Sequence, residues 1–263
     1  MTSTGNEAFL SLENVNVARG DNVVLHDINL SIRKGEHIAI LGPNGCGKST
    51  LIKTITCECY PLVTPTTRVS IFNRERWDLT ELKKKLGVVS AELPGKPTLR
   101  ITGFEALLTG FFSSSTLWPN LVVTEEMRDR ASHVLKQVDA VALAGKPVGE
   151  MSAGQQRRIM IGRSLVSSAD MLLLDEPSNA LDLSAQRDLR EMLRRLAQQG
   201  TGIMLITHHI ADILPEIDRI LMMRDGRVVA DGAKRELLTA QRLSSLFSVE
   251  VQLTERDGFY HAW

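Results

Sequence analysis

The residues with the clearest chemistry run from Gly42 to Thr50: Gly42, Pro43, Asn44, Gly45, Cys46, Gly47, Lys48, Ser49 and Thr50. They form the spacing Gly-x4-Gly-Lys-Ser, which follows an apolar run and opens a helical one, the context the pattern requires. Glycines let the backbone turn its N–H groups inward around phosphate oxygens, and the N-terminus of the helix adds its dipole. Lys48 then reaches the β- and γ-phosphates of a nucleotide, and the Ser49 hydroxyl suits a Mg²⁺ ion. The competing reading is a glycine-rich turn with an exposed lysine, and the order strand, loop, helix argues against it.

A second group lies far downstream. Leu172-Leu173-Leu174-Asp175-Glu176-Pro177 places two acids at the end of an apolar strand, the edge of an open α/β sheet where ligands bind. Asp175 would hold Mg²⁺ through its water shell, and Glu176 would orient or deprotonate an attacking water. Strand alternation points neighbouring side chains in different directions, which suits two roles. Without the phosphate loop the same pair would read as a helix cap or a solvated turn.

These groups need elements to hold them. Ile28, Leu30 and Ile32 alternate with polar residues, predicting a half-buried strand before the Lys34-Gly35 turn. Short apolar runs at Ile38–Leu41, Leu86–Val89, Met171–Leu174 and Ile203–Ile206 predict buried strands. Helices are predicted from Lys48 to Ile55 and from Leu183 to Gln199, the latter with Leu189, Leu193 and Leu196 on one face and Gly200 as its stop. Asp225-Gly226 and Asp257-Gly258 are hairpin turns. From Ile101 to Leu165 the pattern is helical, broken at Trp118-Pro119 and Gly145-Lys146-Pro147. Strands alternating with helices predict an α/β fold with a mostly parallel sheet covered on both faces.

The chain of 263 residues is 43% hydrophobic, enough for one large domain with a sizeable core. Its 31 Lys and Arg balance 31 Asp and Glu, so no global field draws it onto nucleic acid. Lys83-Lys84-Lys85 reads as a solvated helix face. The first eight residues lack signal-peptide character, and no apolar run approaches the roughly 18 residues of a membrane span. Three cysteines, Cys46, Cys57 and Cys59, suit a reducing cytosol better than a disulfide framework.

The discriminating segment is Met151-Ser152-Ala153-Gly154-Gln155, ahead of a helical run. It resembles the Leu-Ser-Gly-Gly-Gln signature of ATP-binding cassette (ABC) ATPases, with Met151 and Ala153 as departures. Gln155 lies 20 residues before Asp175, as in that family. Ser178–Asp182 is similar to the family's D-loop, and Thr207-His208 to its switch-histidine position. The likeness covers about Leu10 to Gly232.

It implies a P-loop NTPase (RecA-like) fold for a cassette over 9–248, with an N-terminal antiparallel β subdomain and a helical subdomain inserted at about 93–165. Residues 249–263 would form a short hairpin and tail. It further implies Mg²⁺ with ATP as substrate, Lys48, Glu176 and His208 as catalytic residues, and Ser49 and Asp175 as Mg²⁺ ligands. Ser152, Ala153, Gly154 and Gln155 would close over the ATP of a partner cassette, identical or paired, in a head-to-tail dimer that also uses Asp182 of the D-loop.

Three positions bear on this resemblance. Arg19 stands where the family has an aromatic residue against adenine; a guanidinium can stack on a base or remain a solvated surface group. Ala91 stands where the family has a glutamine that touches Mg²⁺ and links the site to the membrane subunit. Cys46 is either a small loop residue whose N–H alone matters or a thiol acidified at a helix N-terminus and open to oxidation.

The leading functional expectation is the ATPase subunit of an importer-like transporter. It would lie in the cytoplasm on the inner face of the membrane, docked on separate permease chains, with Phe111, Phe112 and Trp118 as candidate anchors. The alternative is a single-cassette ATPase without a permease, regulatory or nucleic-acid-associated, which Ala91 favours and the zero net charge disfavours. A cassette that no longer turns over ATP is argued against by intact Lys48, Asp175, Glu176 and His208.

Overall fold

The computed structural model describes residues 7–90, 92 and 94–263. The chain divides into two compact units, one built from residues up to Leu79 together with Gly202–Trp263, the other from Thr80–Thr201.

In the first unit, β1 (Ala8–Arg19) and β2 (Asn22–Arg33) form a long antiparallel hairpin. The alternation of Ile28, Leu30 and Ile32 buries all three on its inner face. Next come β3 (His37–Leu41) and α1 (Lys48–Ile55). β4 (Arg68–Ile71) joins the far side of β1. This strand was not anticipated: four residues beside a Pro- and Thr-rich stretch are too few to show a period.

The second unit carries α2 (Leu79–Lys85, whose first residue belongs to the first unit), β5 (Leu86–Val89), α3 (Lys96–Leu99), α4 (Gly103–Thr109), α5 (Glu125–Gln137) and α6 (Ala153–Leu165). These are followed by β6 (Met171–Asp175) and α7 (Leu183–Gln198). β5 and β6 pair in parallel, Val89 opposite Leu174. α4 and α5 start on side-chain caps: Thr102 and Glu105 form a capping box for α4, and Thr124 caps α5. On α7, Leu189, Met192, Leu193 and Leu196 are buried on one stripe, and the helix ends before Gly200 at φ +93°.

The chain then returns to the first unit through β7 (Gly202–Thr207), β8 (Arg219–Arg224), β9 (Arg227–Ala233), α8 (Lys234–Leu237) and α9 (Ala240–Phe247). It ends in the hairpin β10 (Leu253–Arg256) and β11 (Phe259–Ala262). Here β3 lies between β7 and β8, parallel to both, and β9 runs antiparallel to β8. The apolar runs of β3, β7 and β8 are buried on both faces, which explains why they lack alternation. Asp225 and Gly226 both take positive φ, 49° and 73°, as a tight hairpin turn requires.

Candidate functional site

In the first unit, the phosphate loop leaves the C-terminal end of β3. Gly45 at φ +79° and Gly47 at φ +104° make the left-handed bends that fold it into a cradle. Gly42 is required by packing: a Cβ there would lie 2.3 Å from the Met223 carbonyl oxygen and 2.6 Å from the Cys46 sulfur. Lys48 is buried, and its ammonium donates to the carbonyls of Gly42 at 2.7 Å and Pro43 at 3.0 Å. The loop therefore centres a fixed positive charge among its own backbone groups. Ser49 is exposed one residue on, whereas Thr50 is buried and its carbonyl accepts from Thr54 Oγ1. Pro43 is half-buried and Asn44 exposed on the rim.

Cys46 decides between its two readings. Its side chain is 4% exposed. Burial pushes the thiol up, against the opposing pull of the Lys48 charge. An acidified, oxidation-prone sulfur needs exposure and an electropositive setting, and here desolvation wins. The backbone is what matters at this position, since the Cys46 carbonyl accepts the Gly226 N–H at 3.0 Å.

Register places His208 beside this loop. Leu41 of β3 faces Thr207 of β7, so Gly42 and His208 leave adjacent parallel strands side by side. The turn after β7 is held by buried groups: Thr207 Oγ1 donates to Asp212 at 3.2 Å and accepts the His209 N–H at 2.9 Å. The His208 ring lies against that of His209, centroids 3.9 Å apart. Arg19 is exposed at the end of β1, where it pairs with Asn22.

In the second unit, Asp175 ends β6 half-buried, and Glu176 follows at φ +47°. β6 ends at Asp175, so strand alternation does not extend to Glu176; its left-handed conformation costs a non-glycine residue on the order of 1 kcal/mol and is concentrated at functional sites.

The signature opens α6. Ser152 is its N-cap, accepting the Gln155 N–H at 3.3 Å while Gln155 Oε1 accepts the Ser152 N–H at 3.1 Å. This reciprocal cap orders the free N–H groups of the first turn. A Cβ on Gly154 would lie 2.9 Å from the Ala185 Cβ, so the first turn of α6 packs on the start of α7. Asp182 is the cap there, accepting the Ala185 N–H at 2.8 Å. Signature and D-loop residues are thus brought together. Ala153 is half-buried and Met151 buried.

Ser49 of the first unit carries a hydroxyl and Asp175 of the second a carboxylate, each by its chemistry a hard oxygen donor of the kind Mg²⁺ takes. Ala91 lies outside the described residues.

Arg157 escaped the sequence reading. It is 7% exposed and donates from Nη1 to the Ser90 carbonyl. Nothing in the sequence separates it from its half-buried neighbour Arg158, which reaches Asp188 at 2.7 Å.

Comparison with known proteins agrees with this arrangement. Residues 25–179 match the family described as ABC transporter. An ABC transporter ATP-binding protein of Lactococcus lactis is 30% identical over 256 residues, 96% of this chain and 97% of that protein. A hemin import ATP-binding protein of Shewanella denitrificans is 31% identical, over 93% and 95% of the two chains. Among solved structures, an ATP-binding cassette of an ABC transporter in its ADP conformation superposes with a TM-score of 0.80 at 26% identity, over 92% and 98% of the chains. A dimeric cassette in a post-hydrolysis state with ADP and Pi gives a TM-score of 0.68 at 30% identity, over 85% and 98%. The chain has the fold of these cassettes, and it belongs to the ABC transporter family as an ATP-binding, ATP-hydrolysing subunit.

Proposed function

We propose that the chain hydrolyses Mg-ATP in composite sites of a head-to-tail dimer and drives an importer-type permease made of separate membrane-spanning chains. The observation that carries this reading is the preformed phosphate loop, with the Lys48 ammonium held at its centre by two backbone carbonyls. Phosphate oxygens of ATP would take over from those carbonyls, so the lysine needs little reordering on binding. Mg²⁺ held at Ser49 and Asp175 would neutralise charge on the β- and γ-phosphate oxygens.

Glu176 accepts a proton from water as the water oxygen attacks the γ-phosphorus, and ADP leaves with the bridging oxygen. His208 steadies the γ-phosphate. Ser152 and the N–H groups of Ala153 and Gly154 supply the partner's share of the oxyanion contacts, Gln155 holds the cap that orders them, and Asp182 braces that surface. Arg19 stacks on adenine. The cassette spans 9–248, with the helical subdomain inserted at about 93–165 and the hairpin and tail after it.

The cassette docks on the cytoplasmic face of a permease made of separate chains; no helix among the described residues of this chain is long and apolar enough to cross a membrane. Trp118, 58% exposed in the second unit, is the aromatic that docking would bury. Relatives named for hemin import favour the importer class.

The test is Mg-dependent phosphate release together with co-purification from native membranes. Glu176→Gln should lower turnover by about 10² or more while retaining ATP, and should bring down a multi-span membrane protein. Turnover that survives Glu176→Gln would refute the assignment of the base. A trapped dimer that brings down no membrane partner, where a control cassette keeps its permease, would refute the transport role.

A further inference from the structure

Arg157 is an arginine in the second turn of α6, and an arginine is rarely buried unless paired. Its guanidinium donates to the carbonyl of Ser90, 67 residues earlier in the chain. Ser90 directly follows Val89, the residue of β5 that faces Leu174 of β6. Ser90 and Asp175 therefore leave neighbouring parallel strands at the same level, and a group fixed on the Ser90 carbonyl is fixed beside Asp175. Close packing keeps α6 in place: a Cβ on Gly87 of β5 would lie 2.9 Å from the Ser164 carbonyl oxygen.

We infer that Arg157 is a built-in counter-cation for Asp175, held by the Ser90 carbonyl, which competes electrostatically with Mg²⁺ and sets how tightly the site holds the metal. The inference rests on the reading of Asp175 as a Mg²⁺ ligand. Holding a carboxylate charged at a partly buried strand end carries a desolvation cost. A fixed guanidinium offsets that cost when the site is empty and repels a divalent cation when it fills, because both charges act through low-dielectric surroundings. A residue that merely braced the fold would have the opposite effect, since its loss would loosen the site and weaken Mg²⁺. The sign of the change therefore separates the two roles.

The experiment is a Mg²⁺ titration of the binding of a fluorescent, non-hydrolysable ATP analogue to the full chain. Arg157→Gln removes the charge but keeps an amide donor for Ser90, and Arg157→Lys keeps the charge. The expected result is a Mg²⁺ half-saturation about tenfold lower in Arg157→Gln, with Arg157→Lys within about twofold of the parent. Analogue binding without Mg²⁺ should be unchanged in both. A half-saturation in Arg157→Gln equal to or higher than the parent's overturns the inference. If Arg157→Gln does not fold, a higher half-saturation in Arg157→Lys overturns it, and an unchanged one with normal metal-free binding supports it. Asp175→Asn is the separate control: if it leaves the Mg²⁺ dependence intact, the reading of Asp175 fails and takes the inference with it.

Discussion

The Gly226 N–H donates to the Cys46 carbonyl at 3.0 Å, and the Gly226 carbonyl accepts the His26 N–H at 2.9 Å. A single turn residue of the β8–β9 hairpin thus joins the phosphate loop to β2. The loop that recognises phosphate is suspended between two elements that carry no catalytic residue.

That relationship makes Gly226 a remote determinant of ATP affinity. A Cβ there would lie 2.1 Å from the Val24 carbonyl oxygen, at a backbone φ of +73°. Gly226→Ala is expected to destabilise the fold by about 2–3 kcal/mol and to weaken ATP binding. Gly35→Ala is the control: it has a similar φ of +77° with nothing within 4 Å, so it should cost only about 1 kcal/mol and leave binding unchanged. Thermal melts with and without nucleotide check both.

Cys46 should be an unreactive thiol. Burial raises its ionisation above that of a free cysteine, so iodoacetamide at pH 8 should modify it at least tenfold more slowly in the folded chain than in urea, as read by peptide mass spectrometry. Stability from the protonated thiol is complete below the unfolded value near pH 9.0 and is lost as pH rises through the higher folded value.

His37 gives the acid limb. Burial holds its imidazole below the ordinary value of 6.5, and Nδ1 accepts the Ile203 N–H at 3.3 Å between β3 and β7. That stability is present above about pH 6.5 and is lost as pH falls through the lower folded value, because the unfolded chain binds the proton first. His37→Asn should flatten the dependence of the urea midpoint on pH in that window.

How far the sequence reached depends on what each feature relies upon. The loop from Gly42 to Ser49 was legible because its chemistry lives in its spacing. Ile38–Leu41 and Ile203–Ile206 were legible because strands buried on both faces are continuously apolar, and Asp225-Gly226 because few residues tolerate that turn. Features set by distant partners were not legible. The depth of Cys46 follows from its place against Gly42 inside the loop, the left-handed Glu176 from the chain path after β6, and the burial of Arg157 from a carbonyl 67 residues away. An arginine in a basic run reads as surface until its partner is seen.

The signature should separate binding from hydrolysis. Ser152→Ala removes the cap of α6, expected to cost about 1 kcal/mol, together with one contact offered to the partner's ATP. ATP binding to the isolated cassette should be retained while turnover falls, in contrast to Lys48→Ala, which should lose both. Nucleotide binding and phosphate release, measured on the same preparations, distinguish the two variants.

The most direct test of the account is the mass in solution of the Glu176→Gln chain with and without Mg-ATP, by light scattering after gel filtration. A mass that doubles from 29.1 kDa on adding Mg-ATP, and no longer does so when Ser152 is also replaced by alanine, is the expected result. A mass unchanged by Mg-ATP under conditions where the nucleotide is shown to be bound would contradict the composite, head-to-tail site.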